Sequence, residues 1–473
     1  MMIRRALLAI LLASPSMGAQ GIAAPSGRCV FRFDNLPTTR VTGSKLPSGQ
    51  YNNFIGGGVV ARCPQQSLIL KSDSLEQYGD EGRYYFVGHV DYAEPRLALK
   101  SEFLTYFQRD ERLLATRNVN ARLPSGSTLV GPQVEFFRAV PGIRPQQSAT
   151  AIGRPTINLV ERDTAGRPQP PVKVTGNTVY LQGDSVVSAV GNVVVVRPEL
   201  TATGDSLYAD AGTGLLRIMR QPKITGTKGR PFTLVGETID LLSQQKKLRR
   251  VLAKQTAEAT SEDLDLMSDS IDLRVNDDLL QRAVVWGTSR ARATSPTQSI
   301  VADSIDVLMP AQHVTELHAV RRATAEAVPD TTKFHTTEKD RLTGDTIVAY
   351  FDSVPAHDTT AKPRIRLLVA TGNATSLQHL PPRDSTFCVP AINYVKGRSI
   401  TVQFDSAKKV STVTVHDSAQ SPGVYIEPDS TSGRAGCRKV AAASAANGVP
   451  IPPPGPRPSS PVPTTPAIVP RRP

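Results

Sequence analysis

Apolar and polar residues alternate along most of the chain, in short runs rich in Val, Ile, Leu and Thr that end at Gly, Asp, Asn or Pro. A period of two is the pattern of a half-buried β-strand, and helix-like periodic runs are missing. In one such run the odd positions are Asp269, Ile271, Leu273 and Val275, and the even positions between them are polar. The pattern predicts an all-β protein.

A short motif recurs along the chain, in which an acidic residue is followed by Ser or Thr and then by Leu or Ile. Its copies occupy residues 72–75, 204–207, 236–239, 268–271, 302–305 and 344–347. The acidic positions 205, 237, 269 and 303 are 32, 32 and 34 residues apart. Roughly midway between copies lies an apolar pair around Gly or Asn, as at 87–90, 190–193, 285–287 and 370–374. This rhythm predicts repeats of about 30 residues, each with at least two strands joined by tight turns.

Single units of this kind cannot bury their own apolar face, so we expect them to stack edge to edge into a continuous apolar surface. Prolines interrupt the repeats. Six of them fall between residues 141 and 171, which excludes a central strand and predicts a linker or irregular loop. A polar stretch at 329–340 predicts a weaker break, and 11 prolines in residues 450–473 predict a disordered tail.

The first residues have the layout of a secretory signal: Arg4 and Arg5, an apolar run at 6–13, and small residues up to Ala24. The run is too short to span a bilayer. Cleavage between Ala19 and Ala24 would release a soluble extracytoplasmic protein, which we place in the periplasm, either free or associated with the outer membrane.

Four cysteines fit an oxidising compartment, with Cys29 and Cys63 near the start and Cys388 and Cys437 near the end. Pairing each neighbouring couple would close one local loop at each end of the repeats, and four unpaired thiols are the alternative. A metal site is disfavoured, because the sequence has no C-x-x-C motif and its seven histidines form no ligand cluster.

The formal net charge of +13 is spread over the whole length. Such a charge favours anionic partners, namely lipid phosphates, an anionic membrane surface or nucleic acid, and export makes nucleic acid a poor candidate. A solubilising surface charge is the alternative reading.

The segment Gly204-Asp205-Ser206-Leu207 looks like the nucleophile block of GDSL esterases. Those enzymes also need a histidine oriented by a carboxylate, but the chain has no D-x-x-H. A catalytic serine also has no reason to recur every 32 residues. We therefore expect no enzyme and no cofactor. One Asp per repeat is too sparse for calcium, so we interpret the acids as caps of turns where strands begin.

Residues 174–323 resemble the periplasmic lipopolysaccharide-transport bridge proteins of the OstA or LptA type. The likeness rests on the repetition of a G-N-V strand, at 190–195, and a G-D-x-[IL]-x-Y strand, at 203–208, with further copies at 236–240 and 302–306. The resemblance implies a twisted, open β-jelly-roll whose two sheets form a V around the acyl chains of lipopolysaccharide. It also implies end-to-end stacking with partners of the same fold through strand edges.

Mapped onto this sequence, the resemblance and the alternation give a set of inward-facing lipid-binding candidates. These are Leu207, Ile239, Leu241, Ile271, Leu273, Val275, Ile305 and Val307. A register slip of one residue would invert all of them.

The expected fold is an elongated open β-jelly-roll of two-strand repeats. The expected segments are a signal peptide at 1–24, an N-terminal repeat region at 25–140, a linker at 141–172, a central jelly-roll at 173–328, a C-terminal repeat region at 329–437 and a tail at 438–473. The expected function is binding and periplasmic transport of lipopolysaccharide or another acylated glycolipid, with jelly-roll partners or copies of itself. The alternative is a structural or adhesive β-solenoid with a closed core. The chain departs from the family in its greater length, terminal cysteine pairs and Pro-rich tail.

Overall fold

The computed structural model describes residues 29–160, 170–183, 185–228, 231–245, 247–262, 264–329, 334–353, 364–384, 386–406, 410–417, 423–429 and 431. The predicted signal peptide and the predicted tail lie outside these residues. Within the described part the fold is all-β, as the alternation predicts, with 30 strands and two short 3-10 helices at Pro64–Gln66 and Pro310–Gln312.

The first fifteen strands are β1 (Arg32–Phe33), β2 (Arg40–Lys45), β3 (Tyr51–Gly56), β4 (Val59–Cys63), β5 (Leu68–Ser72), β6 (Ser74–Tyr78), β7 (Arg83–Glu94), β8 (Leu97–Phe107), β9 (Arg112–Arg122), β10 (Thr128–Phe137), β11 (Ser148–Ile152), β12 (Thr156–Leu159), β13 (Val172–Thr175), β14 (Thr178–Gln182) and β15 (Val186–Val196). The others are β16 (Leu200–Asp210), β17 (Leu215–Met219), β18 (Lys223–Gly226), β19 (Phe232–Val235), β20 (Thr238–Gln244), β21 (Lys247–Ser261), β22 (Asp265–Asn276), β23 (Leu279–Thr294), β24 (Gln298–Leu308), β25 (Glu316–Ala327), β26 (Asp340–Phe351), β27 (Ile365–Leu380), β28 (Ala391–Phe404), β29 (Val410–His416) and β30 (Gly423–Ile426).

Most long strands cross a β-bulge near their middle, and their two halves join different sheets. In β15, for example, residues 186–190 pair with β14 and residues 194–196 pair with β13. We call the sheet that runs from β2 to β29 sheet I, and the sheet that runs from β1 to β30 sheet II. The described strands therefore form one antiparallel ribbon folded lengthwise, which is an elongated jelly-roll with an edge strand of each sheet at each end.

The fold line of this ribbon explains both sequence motifs. At several corners the chain adopts left-handed backbone angles, as at Gly88 (φ 77°) and Gly372 (φ 76°), and an acid from earlier in the chain lies against the glycine. A Cβ atom on Gly88 would stand 2.2 Å from Asp73 Oδ2, and one on Gly372 would stand 2.2 Å from Asp345 Oδ2. The reading of these acids as caps where strands begin fits Asp73 and Glu237, which directly precede β6 and β20. It is wrong for the acids that lie at corners inside long strands, namely Asp205, Asp269, Asp303 and Asp345.

A bulge also shifts the phase of the alternation. In β22 the inner positions are Leu266 and Ser268 before the bulge and Ile271 and Leu273 after it. Asp269 falls at the bulge itself, so it does not share the apolar face that strict alternation assigns to it.

The Pro-rich stretch at 141–172 is not the predicted linker. It contains β11 and β12, which pair with β10 and continue the two sheets. Pro155 lies between these two strands, at the corner, where a missing backbone N–H removes no ladder hydrogen bond. Residues 161–169 of this stretch lie outside the described residues. Similarly, β25 and β26 pair across the predicted boundary at 328 and 329.

Cys29 and Phe31 fill the N-terminal end of the roll, since both are buried. The ring of Phe31 packs edge-on against Tyr84 and Tyr106, with 5.1 Å between ring centroids in both pairs. Nearby, the guanidinium group of Arg138 forms buried ion pairs with Glu94 at 2.5 Å and with Glu111 at 3.2 Å. This end of the interior is closed.

Candidate functional site

The eight lipid-binding candidates all face the interior, so the predicted register is correct. Their exposed fractions range from 0% to 8%. They pack against one another and their neighbours in the middle of the molecule, and none of them lines the large cavity described next. These side chains are part of the continuous hydrophobic core of the described residues.

A cavity of about 560 Å³ lies between the sheets toward the C-terminal end, where β24 to β29 form its walls. Ile300, Ala325 and Leu342 contribute from sheet II, and Leu368 and Val402 contribute from sheet I. The volume lies in the range typical of pockets for small molecules, which are mostly apolar with a few polar groups. A second cavity, near Leu97 and Leu129, measures only about 30 Å³.

Strand β27 brings two unusual polar side chains to this cavity. Ser376 and Gln378 follow Ala374 at intervals of two, so all three lie on the inner face of the strand. Ser376 is 2% exposed and Gln378 is 6% exposed. Among the described residues no side-chain hydrogen bond satisfies either of them, although both line the cavity.

An imidazole and a carboxylate lie beside them. The side chain of His379 is 2% exposed, with Nδ1 at 2.9 Å from Asp340 Oδ1 and Nε2 at 3.4 Å from Glu338 Oε2. The backbone N–H of His379 donates to the same Asp340 oxygen at 2.8 Å. Burial raises the pKa of Asp340, and the hydrogen bonds from His379 only partly offset it. Asp340 Oδ2 accepts no hydrogen bond from the described residues.

The other charged groups of the cavity compensate one another in part. Arg341 Nη2 lies 3.2 Å from Glu326 Oε1, and Lys339 Nζ lies 3.5 Å from Glu326 Oε2. The lining therefore carries one arginine against two carboxylates, those of Glu326 and Asp340. The polar end of the cavity is therefore negative or neutral, and the rest of the cavity wall is mostly apolar.

Catalytic chemistry would need a histidine beside one of the repeated serines. Both ring nitrogens of His379 face carboxylates, and the exposed His89 lies 2.8 Å from Asp73 through Nδ1. Within the described residues no hydrogen bond joins a histidine to Ser74, Ser206, Ser270 or Ser304. Each of these serines lies just after a corner, on the outer face of sheet I. The described part of the chain also holds no group of three or more potential metal-binding side chains.

The cysteines agree with the predicted pairing only in part. Cys29 and Cys63 are buried and free, so the predicted disulfide between them is not formed in this structure. Burial and the neighbouring Cys63 thiol both raise the pKa of Cys29. Cys388 is disulfide-bonded, and Cys437 lies outside the described residues.

Sequence reasoning missed the cavity, although β27 carries a signal for it. Counting from Ala374 by twos places Ser376 and Gln378 on the inner face of a strand whose neighbours are apolar. A polar inner pair of this kind indicates either a buried network or a binding site.

Comparison with known proteins adds no family to this picture. Neither the protein-family models nor the curated proteins gave a match to the chain. In the described residues, no helix has the length and apolar character needed to cross a bilayer.

Proposed function

We propose that this protein is an exported, non-catalytic carrier that binds the acyl part of lipopolysaccharide or a similar amphiphile and helps to move it across the periplasm. The observation that carries the proposal is the cavity between the sheets, with apolar walls and a polar end. This arrangement matches an amphiphile. Transfer of acyl chains from water to an apolar cavity is favourable, whereas a head group needs hydrogen-bonding partners when it is buried. The resemblance to lipopolysaccharide-transport bridge proteins supports the same reading.

Strand edges at the C-terminal end support partner stacking. Within the described residues β29 and β30 each pair only with β28. Every residue of β30 is exposed, including Val424, Tyr425 and Ile426. An unprotected edge of this kind can accept a strand from another chain. We propose that a jelly-roll partner or a second copy adds there.

The cavity is tested by filling it. Ala325→Phe places a ring in the cavity, whereas Thr324→Phe places the same ring on the outer face of the same strand. We expect acyl lipid to co-purify with the wild type, as detected by mass spectrometry, and to be lost from Ala325→Phe only. Titration with the apolar dye N-phenyl-1-naphthylamine should show an affinity loss of about tenfold or more for the same variant. Equal binding by the two variants, or no binding by the wild type, would overturn the proposal.

The burial of the eight candidates in the core favours the alternative, a structural or adhesive solenoid with a closed core. That reading requires the cavity to stay empty of lipid. Wild-type protein that retains no lipid and binds no dye would therefore favour it.

A further inference from the structure

Buried polar side chains without partners are rare in folded proteins, because each loses its hydrogen bonds to water on burial. Ser376 and Gln378 are 2% and 6% exposed and make no side-chain hydrogen bond within the described residues, and their polar atoms stay open to the cavity that both line. The free oxygen of Asp340 lines the same space. Three polar groups without a protein partner on the wall of one cavity are available to hydrogen-bond a bound molecule.

The three side chains define the chemistry of that molecule. The Ser376 hydroxyl and the Gln378 amide both donate and accept, whereas the Asp340 carboxylate only accepts when ionised. The complementary group must therefore donate as well as accept, as a hydroxyl does. An anionic head group fits poorly, because it would approach the Asp340 carboxylate and because Arg341 is already paired with Glu326.

We infer that Ser376, Gln378 and Asp340 form the polar anchor of the cavity, and that the anchor binds a neutral, hydroxyl-rich sugar attached to the acyl chain and not a phosphate. This inference rests on the proposed function, since it assigns the head group of the same ligand. The phosphates of a lipopolysaccharide would then remain outside the cavity.

His379 has a positioning role in this arrangement. Two hydrogen bonds from this residue, from its backbone N–H and through Nδ1, meet Asp340 Oδ1. They fix the carboxylate so that Oδ2 is left for the ligand. His379 therefore acts through Asp340 and needs no contact of its own with the sugar.

The test uses two detergents with the same dodecyl chain, dodecyl maltoside and dodecyl phosphate, each below its micellar concentration. Both are titrated against the full-length mature protein and against the Ser376→Ala, Gln378→Leu double variant. Binding is read by displacement of N-phenyl-1-naphthylamine. We expect the wild type to favour the maltoside by about tenfold, and the double variant to lose most of that preference while retaining its affinity for the dye.

The double variant should fold at least as well as the wild type, since it removes two unpaired polar groups from an interior site. A wild type that binds the phosphate as well as the maltoside overturns the sugar anchor and leaves the proposed function intact. An unchanged preference in the double variant overturns it as well. Failure of the wild type to bind the dye overturns the proposed function itself.

Discussion

Asp240 and Asp272 are buried carboxylates on the outer face of sheet I, which is otherwise a solvent-facing surface. Arg217 and Lys254 contact Asp240, at 2.6 Å and 3.1 Å, and two arginines contact Asp272 in the same manner. Burial alone would raise the pKa of Asp240, but hydrogen bonds from Arg217 and Lys254 outweigh it and lower the pKa below its usual value. Cross-strand ion pairs therefore bind neighbouring strands of the sheet together.

The lowered pKa predicts how stability responds to acid. Because the folded pKa lies below the unfolded one, the Asp240 carboxylate adds to the free energy of unfolding above the usual carboxyl range, and this contribution is lost as the pH falls through the folded pKa. When the pH is lowered from neutral to ~3, the free energy of unfolding should fall for both proteins, but by about 1 kcal/mol less for Asp240→Asn than for the wild type. Urea denaturation at both pH values measures the difference.

Asp265→Asn is the matched control, because Asp265 is exposed on the same sheet ribbon and forms no ion pair within the described residues. Its acid response should follow the wild type. If Asp240→Asn and the wild type weakened equally on acidification, the ion pairs would contribute nothing to folding.

At the residue scale the sequence predicts the inner face well and the corners poorly. Ile271 and Leu273 are assigned correctly because alternation holds on each side of a bulge. Asp269 is misassigned because one extra residue reverses the phase and no local composition marks that point. At the bulge its carboxylate accepts hydrogen bonds from Ser289 and Thr288, which lower its pKa.

The two ends of the roll differ in how their edge strands are protected. At the N-terminal end β2 begins with Arg40 and ends with Lys45, and such charges discourage strand addition. At the other end β29 carries no Lys, Arg, Asp or Glu. The charge difference between the edge strands is consistent with the proposed docking of a partner at the C-terminal end.

We predict that lysines on β29 block association. Thr412→Lys with Thr414→Lys should convert any self-associated protein to monomer, because the added charges repel and remain solvated on an unpaired edge. Sedimentation velocity at matched concentrations measures the change. A Thr201→Lys variant on β16, which has neighbours on both sides, should associate as the wild type does. Unchanged association of the β29 variant would exclude this edge as the docking site.

Strands were predictable where their repeats were regular, but the Pro-rich stretch was not. Prolines argue against a central strand only where they fall inside it, and Pro155 falls between β11 and β12. The sequence shows how many prolines the stretch contains, but it does not show which of them fall at a corner between strands. Long-range pairing of β11 with β14, which settles the matter, has no local signal.

At the scale of the whole molecule the roll is closed at one end and hollow near the other. Alternation predicts which residues face inward, but the distance between the sheets depends on the sizes of side chains that meet from distant parts of the chain. This is why the inner face could be read from the sequence and the cavity could not. Each part of a repeat array contacts mainly its neighbours, so we expect the N-terminal end to contribute to stability without affecting ligand binding at the C-terminal end.

That separation can be tested at Phe31, whose ring closes the N-terminal end. Phe31→Ala should cost about 3 kcal/mol locally, because it removes the aromatic contacts with Tyr84 and Tyr106 and leaves a void. Hydrogen–deuterium exchange should accelerate in β7 to β9 and stay unchanged in β26 to β28, and the affinity for N-phenyl-1-naphthylamine should remain that of the wild type.

Val30→Ala provides the control, since Val30 precedes Phe31 and is 61% exposed. It should leave both exchange and affinity nearly unchanged. A parallel loss of dye affinity in Phe31→Ala would show that the two ends are coupled through the stacked core. The molecule would then behave as one cooperative unit, and lipid binding at the C-terminal end would depend on how firmly the opposite end is closed.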